Sequence, residues 1–429
     1  MSANASFSRL ERAYVQAQPV FGTIPNVSGT ATVGNANACR FIRMELSNAV
    51  GLLERPDKTG TRSREGVGVG RKGCTWNIDL SMVSNGTAGT PPDADPIFSS
   101  IFGQTAAVGA GTAAITSSTA AAPIVLATAA HGITTSSFEV VAVSGHLTNL
   151  NANGVWLAYA GGGTSLTLVG SDGTGSSAGS GGVVSRVKLT YSFIDTVSQF
   201  TLWSFRSPST LDQRVAHSCI TANATFSLNQ DVATFTASGE GLWTLRSADF
   251  ANSDAYQKGG LTAFPTEPAA PVTNGSIIPG FTGRFTAGQS VGSTTAATFS
   301  TGASTFTGVR GATITIATGN VIKRDTFGSY YGTSTEGDVR TVSATFNVYD
   351  DDSTQVTQLK AWGDSKTPID MVMNIGTAVG STFVFIVKNV YLASHALGDG
   401  QISFDVGFGD SVATATTLAV KDEFSMVIA

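Results

Sequence analysis

Cysteine, histidine and charge are the scarce components of this 429-residue chain. The three cysteines, Cys39, Cys74 and Cys219, are an odd set without paired spacing, which excludes a disulfide scaffold or a zinc site as the organising device and predicts reduced, buried thiols. Only 13% of residues are charged and the formal net charge is −5 with no long basic run, so neither tight nucleic-acid binding nor attraction to an anionic membrane is favoured. His131, His146, His217 and His395 are scattered without HExxH or His–Cys spacing, and they imply no metal and no cofactor. The most apolar stretch, Phe383–Leu397, is interrupted by Lys388, Asn389 and His395 and is too short and polar to span a bilayer. MSANASFSRLERAYVQ at the start lacks an apolar core and a cleavage site, so a soluble chain of cytoplasmic origin is expected.

Catalytic signatures are equally thin, and the expectation is a protein that is not an enzyme. Gly68–Gly73 fits GxGxxG, but it precedes a strand and opens no helix, so it does not cradle phosphate. Asp350-Asp351-Asp352 lacks the alternating ligands of a calcium loop and stands where a helix cap is needed. Asp93 and Asp95 read as capping residues too. No spacing identifies the paired carboxylates of a polysaccharide-cleaving enzyme.

What is abundant is apolar content, at 41%, together with 49 glycines and long Ser/Thr/Ala runs in positions where a cytosolic enzyme usually carries Lys and Glu. Such a chain has real cores, and its weakly charged surface suits burial against other subunits. Two strand-to-helix modules organise it. In Thr75–Val83, Trp76, Ile78, Leu80 and Met82 alternate with Asn77, Asp79 and Ser81; a turn at Asn85-Gly86 follows, and then a helix with Ile97, Phe98, Ile101 and Phe102 on one face. Arg340–Asp350 alternates Val342, Ala344, Phe346 and Val348 with polar neighbours, and Val356, Leu359 and Trp362 follow at helical spacing.

The rest falls into order around these modules. Residues 1–38 form an N-terminal arm, in which Ser6–Gln18 permits a short helix. A first β unit comprises 39–103 and 183–246, with Leu211–Ala216 also permitting a helix. Residues 104–182, rich in Ala, Gly, Ser and Thr, read as an inserted small β domain on flexible tethers, sharing no core with the body. A proline-rich linker covers 247–276, and a second β unit covers 277–429, repeating the order of the first. The fold class is therefore mainly β: two tandem β units, each with a short helix, plus the insert. Two long charged loops, Leu52–Lys72 with Arg55, Asp57, Lys58, Arg62, Arg64 and Glu65, and Thr318–Asp338 with Lys323, Arg324, Asp325, Glu336 and Asp338, are expected to contact neighbouring subunits.

The run GCTWNIDLSMVSNGTAGTPPDADPIFSSIFG resembles the strand and helix of tail tube proteins (major tail proteins) of long-tailed bacteriophages, of the type with two tube units fused in one chain. Lys188–Pro208 with Leu211–Gly241, and Ala312–Trp362 with Thr382–Gly409, are similar to the remainder of that family, so the likeness covers most of the chain outside insert and linkers. The insert resembles small β modules carried by virion proteins. The resemblance implies a structural virion protein of two tandem tail-tube-like β-sandwich units, assembled in the host cytoplasm, whose rings stack, with the two long loops reaching the next ring, into the tail tube through which DNA is delivered. Three copies would close a ring with a pseudo-sixfold lumen, the alternative being six chains per ring. Tape measure and tail completion proteins would be partners, and double-stranded DNA would pass transiently without specific binding. A lumen of this kind has to be acidic or neutral, and Asp79, Asp231, Asp350 and Asp405 are candidates to face it. A surface-exposed glycan-binding or adhesin-like β protein is the alternative reading of the same composition.

Overall fold

The computed structural model describes residues 11–54, 67–102, 107–109, 111–206, 212–229, 231–269, 277–289, 303–350, 353–398, 401–408 and 421–429. It is mainly β, with one large open sheet system and a small closed barrel. Up to Gly241 the body contains β1 (Glu11–Gln18), β2 (Arg43–Glu54), β3 (Val67–Ser81), α1 (Asp95–Phe102), β4 (Lys188–Phe193), β5 (Gln199–Arg206), β6 (Arg214–Asn229) and β7 (Thr234–Gly241). Beyond it come β8 (Arg284–Gln289), β9 (Val309–Ala317), β10 (Thr341–Tyr349), α2 (Thr354–Ser365), β11 (Ile369–Ile375), β12 (Phe383–Gly398), β13 (Gln401–Phe408) and β14 (Lys421–Ile428).

Pairing in the first half runs β2-β3-β7-β6-β5-β1, antiparallel throughout. In the second half it runs β9-β10-β13-β12-β11-β8, also antiparallel. The correspondence extends to irregularities. β6 and β12 are both 16 residues long, and each bends at a non-glycine residue in the left-handed region, Ser218 (φ 52) and Asn389 (φ 51). Four residues further on each skips a register, at Ala222 and Ala393. A left-handed non-glycine residue costs roughly 1–2 kcal/mol, and buried polar neighbours hold both in place. Gln18 accepts the Ser218 N–H at 2.7 Å and donates to its hydroxyl at 2.8 Å, while Asp370 accepts the Asn389 N–H at 2.8 Å.

Both helices plug apolar space beside these bends. α1 buries Ile97, Phe98, Ile101 and Phe102, each contributing about 1.5–3 kcal/mol on full burial. Its first-turn Asp95 accepts the Tyr191 hydroxyl at 2.6 Å, and burial raises that carboxyl's pKa. α2 starts at Ser353, whose hydroxyl accepts the Val356 N–H, and buries Val356 and Leu359. Asp93, expected as a cap, instead pairs with Arg40 at 2.8 Å.

One apolar core runs through both halves. Phe226 of β6 meets Phe385 of β12 with ring centres 5.2 Å apart, and Phe102 of α1 stacks on Phe424 of β14 at 6.0 Å. β4 tightens this union. Expected in the first unit, it pairs instead with β14, because the chain returning from the insert enters beside the last strand.

Other expectations need correction as well. Glu11–Gln18 is a strand, not a helix, since Ala13, Tyr14 and Val15 are buried on both of its faces against β5. Arg214–Ala216 is likewise strand. The two described ends of the expected loop Leu52–Lys72 are ladder, with Leu52 opposite Val69 and Glu54 opposite Val67, and its middle lies outside the described residues. The supposed linker packs onto the first half over 247–269, where Leu261 and Phe264 join a second cluster with Tyr14, Trp203 and Phe205.

The insert is a closed six-strand barrel with its own core around Ile124, Leu126, Trp156, Leu166 and Leu168. It is no loose appendage. Val140, Ala142, Val155 and Leu157 on its flank share a cluster with Val372, Val384, Ile386 and Val427 of the second half. The Arg284 guanidinium lies 3.5 Å over the Trp156 ring and donates to the Val155 carbonyl. Nor is SDGTGSSAGSGG a free tether, since Gly181 and Gly182 bond to Ile115 and Gly173 to Ala121.

His217 of β6 is fully buried near Tyr256 and Gln257, and burial pushes its pKa down to about 4 from the ordinary 6.5. The fold therefore holds it neutral, whereas the unfolded chain protonates it below pH 6.5. Stability is expected to fall as pH drops from 6.5 towards 4, by up to about 3 kcal/mol from this residue. Urea midpoints across that range, compared with a His217→Asn chain, check this: the variant is expected to lose that part of the pH slope.

Candidate functional site

The feature that the pairings single out is a continuous eight-strand run, β2-β3-β7-β6-β9-β10-β13-β12, in which the C-terminal half of β6 joins the two halves by pairing with β9. Alternation gives the run two unlike faces. One is core: Trp76, Ile78, Phe235, Phe226, Ile314, Phe346 and Phe404 are all buried. The other carries Asn77, Ser81, Thr236, Ser238, Thr225, Ser227, Thr313, Thr315, Ser343, Thr345, Asn347 and Ser403, none of them buried. Four adjacent strands repeat the same alternation, in Ala224–Ser227, Ala233–Thr236, Ala312–Thr315 and Ala344–Asn347. That repeat is the signal in the sequence from which this face could have been found.

Charge on the polar face is sparse. Among the described residues in the middle of this face, Arg43 stands against Glu45, Asp79 and Asp405, one positive group and three negative, while Glu240, opposite Thr75 nearer the bend of β6, is paired with Arg324. Arg43 Nε donates to Asp79 at 3.1 Å and its guanidinium lies 3.6 Å from Glu45, so this cation is neutralised locally. Asp405 accepts the Thr345 hydroxyl at 3.0 Å. Thus two of the four carboxylates expected on one face, Asp79 and Asp405, are on it. The other two are not, because they end strands. Asp231 sits in the turn after β6, its carbonyl taking the Gly280 N–H, and Asp350 after β10 pairs with Lys360 at 2.8 Å.

The run begins and ends on unpaired edges. Among the described residues no strand pairs with the outer edge of β2, nor with that of β12 beyond Val390. Isolated edges of this length invite pairing with another chain.

The loop after β9 forms a hairpin, Asn320–Lys323 with Ser334–Gly337, and it folds back on the first half of the same chain. The Lys72 N–H bonds the Tyr330 carbonyl at 2.7 Å, and Tyr331 donates to Asp254 at 2.7 Å between the rings of Trp243 and Tyr256. Arg324, expected at a contact between subunits, is instead internal, pairing with Glu240 and donating to the Gly241 carbonyl. Lys323 and Glu336 pair with each other across the hairpin at 3.0 Å. Asp325 is exposed, and Asp338 accepts the Val339 N–H. Sequence reasoning missed this seat because its aromatic residues are spread over residues 243–331. Arg55, Asp57, Lys58, Arg62, Arg64 and Glu65 lie outside the described residues; the ribbon leading to them exposes Leu52 (68%), Leu53 (63%) and Val69 (56%).

Gly68–Gly73 lies within β3, and no helix follows it. Among the described residues no three His, Cys, Asp or Glu side chains gather as metal ligands, and no helix is long and apolar enough to cross a membrane. No protein-family model matches the chain, and no curated protein matches it.

Proposed function

We propose that the chain is a structural virion protein that closes into rings through its two sheet edges, and that the rings stack into a tail tube for DNA delivery. In this reading the two halves are copies of one sandwich unit, with matching pairing order and matching bends in β6 and β12. The observation that carries it is the eight-strand run with a hydroxyl-rich face and an open edge at each end. Three copies would contribute about 24 strands. At roughly 4.8 Å per strand and a tilt near 40°, such a barrel is about 48 Å across between backbones, room for a duplex after the side chains are subtracted.

The wall chemistry suits transit. Phosphates repeat at roughly one per 1.7 Å along a duplex, so a cationic wall would hold DNA, while a neutral to weakly acidic hydroxyl surface lets it slide. The apolar ribbon of Leu52, Leu53 and Val69 would reach a neighbouring subunit or the next ring, and the insert would lie outside. Tape measure and tail completion proteins would meet the lumen and the tube ends.

Sedimentation with negative-stain imaging of the purified full chain tests this. Hollow rings or tubes are expected, with threefold outer symmetry over a pseudo-sixfold lumen. A chain that stays monomeric at high concentration would sink the reading.

A further inference from the structure

The joint within the chain shows how one copy would meet the next. β6 pairs with β9 with Asn223 opposite Ala317, Thr225 opposite Thr315 and Ser227 opposite Thr313. Thr225 and Thr315 are a close pair, their hydroxyl oxygens 3.4 Å apart. Just above them Thr318 N–H donates to the Ala222 carbonyl at 2.8 Å, and the Thr318 hydroxyl donates to the Thr221 carbonyl.

Each partner in this joint has a counterpart on an open edge. From the register skips, Asn223–Ser227 of β6 correspond to Ser394–Gly398 of β12. From the pairs Arg43 with Asp79 and Gly311 with Asn347, Thr313–Ala317 of β9 correspond to Glu45–Ala49 of β2. Resting on the ring reading above, we infer that β12 of one copy pairs antiparallel with β2 of the next, Ser394 opposite Ala49, Ala396 opposite Ser47 and Gly398 opposite Glu45. The partner is a second copy of this chain, and joints within and between chains alternate around the ring.

A lysine marks the same spot. The carbonyls of Leu392 and Ala393 are the counterparts of those that take Thr318, and in the single chain Lys366 Nζ occupies both, at 2.8 and 2.7 Å. A lysine laid on an edge keeps it from indiscriminate pairing. Here it holds the first acceptors of the joint until the neighbour's Val50, the counterpart of Thr318, arrives.

Cysteine pairs read the register directly. The full chain carrying Ser47→Cys with Ala396→Cys, oxidised mildly after assembly, is expected to give covalent multimers on a non-reducing denaturing gel, the ladder ending at the ring number. Glu45→Cys with Gly398→Cys tests the same register should the first pair fold badly, and Thr225→Cys with Thr315→Cys is the internal standard, closing within one chain. Rings by microscopy that cross-link through Ser47→Cys with Ser394→Cys, and not through the in-register pairs, would overturn the register and leave the ring reading standing. No rings from the unmodified chain and no multimers from any pair would remove both.

Discussion

A His395→Pro chain is expected to fold and yet fail to assemble. Thr318 N–H bonds Ala222, so alternate residues of β6, Ala222, Ala224 and Phe226, turn their backbone groups towards β9. His395 is the counterpart of Ala224 and is exposed, its backbone groups turned to the open edge and away from β13. Proline there removes one edge donor and leaves the neighbour's acceptor unmatched, at a cost of about 1–3 kcal/mol per joint before steric conflict is counted. A loss of about 3 kcal/mol is roughly a hundredfold in each joint's equilibrium constant, and every joint of a ring carries it. Sedimentation should show a monomer with native circular dichroism and thermal midpoint. The same substitution at Ala224 should abolish folding, because there the joint lies inside the chain and the residue is buried. If His395→Pro assembles like the native chain, the β12 edge is not the joint.

That contrast also shows why parts of the fold were legible in the sequence and others were not. Thr75–Val83 and Arg340–Asp350 alternate strictly because each has one face in the core and one in solvent, and all but their end residues, Thr75–Ser81 and Thr341–Tyr349, are strand. The stripes Ile97/Phe98/Ile101/Phe102 and Val356/Leu359 are legible for the same reason: a helix on a core shows its period. Glu11–Gln18 carries no such pattern, since a strand buried on both faces does not alternate. The insert's shared layer and the displacement of β4 depend on partners more than 150 residues away, which local periodicity does not encode. Arg324 was legible as a contact-forming charge in a long loop. Its partner was not, because the return of the loop onto Glu240 is fixed by packing of Tyr331 between Trp243 and Tyr256. Of the candidate lumen carboxylates, Asp79 and Asp405 follow from alternation within strands, while Asp231 and Asp350 fall beyond the last alternating residue, where the pattern ceases to assign a face.

Reversing the charge of the polar face gives the largest functional effect expected. Asp405 and Thr313 are exposed on that face and separated by β10, so Asp405→Lys with Thr313→Lys changes the balance in its middle from one positive and three negative groups to three positive and two negative, leaving the core face untouched. A ring of three copies would then present six new ammonium groups to a duplex. Contacts of that number cost about 10³–10⁵ in affinity between 50 and 200 mM salt, so retention of DNA by variant tubes should be strong at the lower salt and vanish at the higher. Native tubes should retain none at either. Co-sedimentation of labelled duplex with assembled tubes reads this, with a duplex too bulky at its ends to thread as the control for binding outside. Native tubes that bind duplex as tightly as the variant, or variant tubes that bind only the blocked duplex, would mean that the hydroxyl-rich face does not line the channel, whatever the symmetry of the ring.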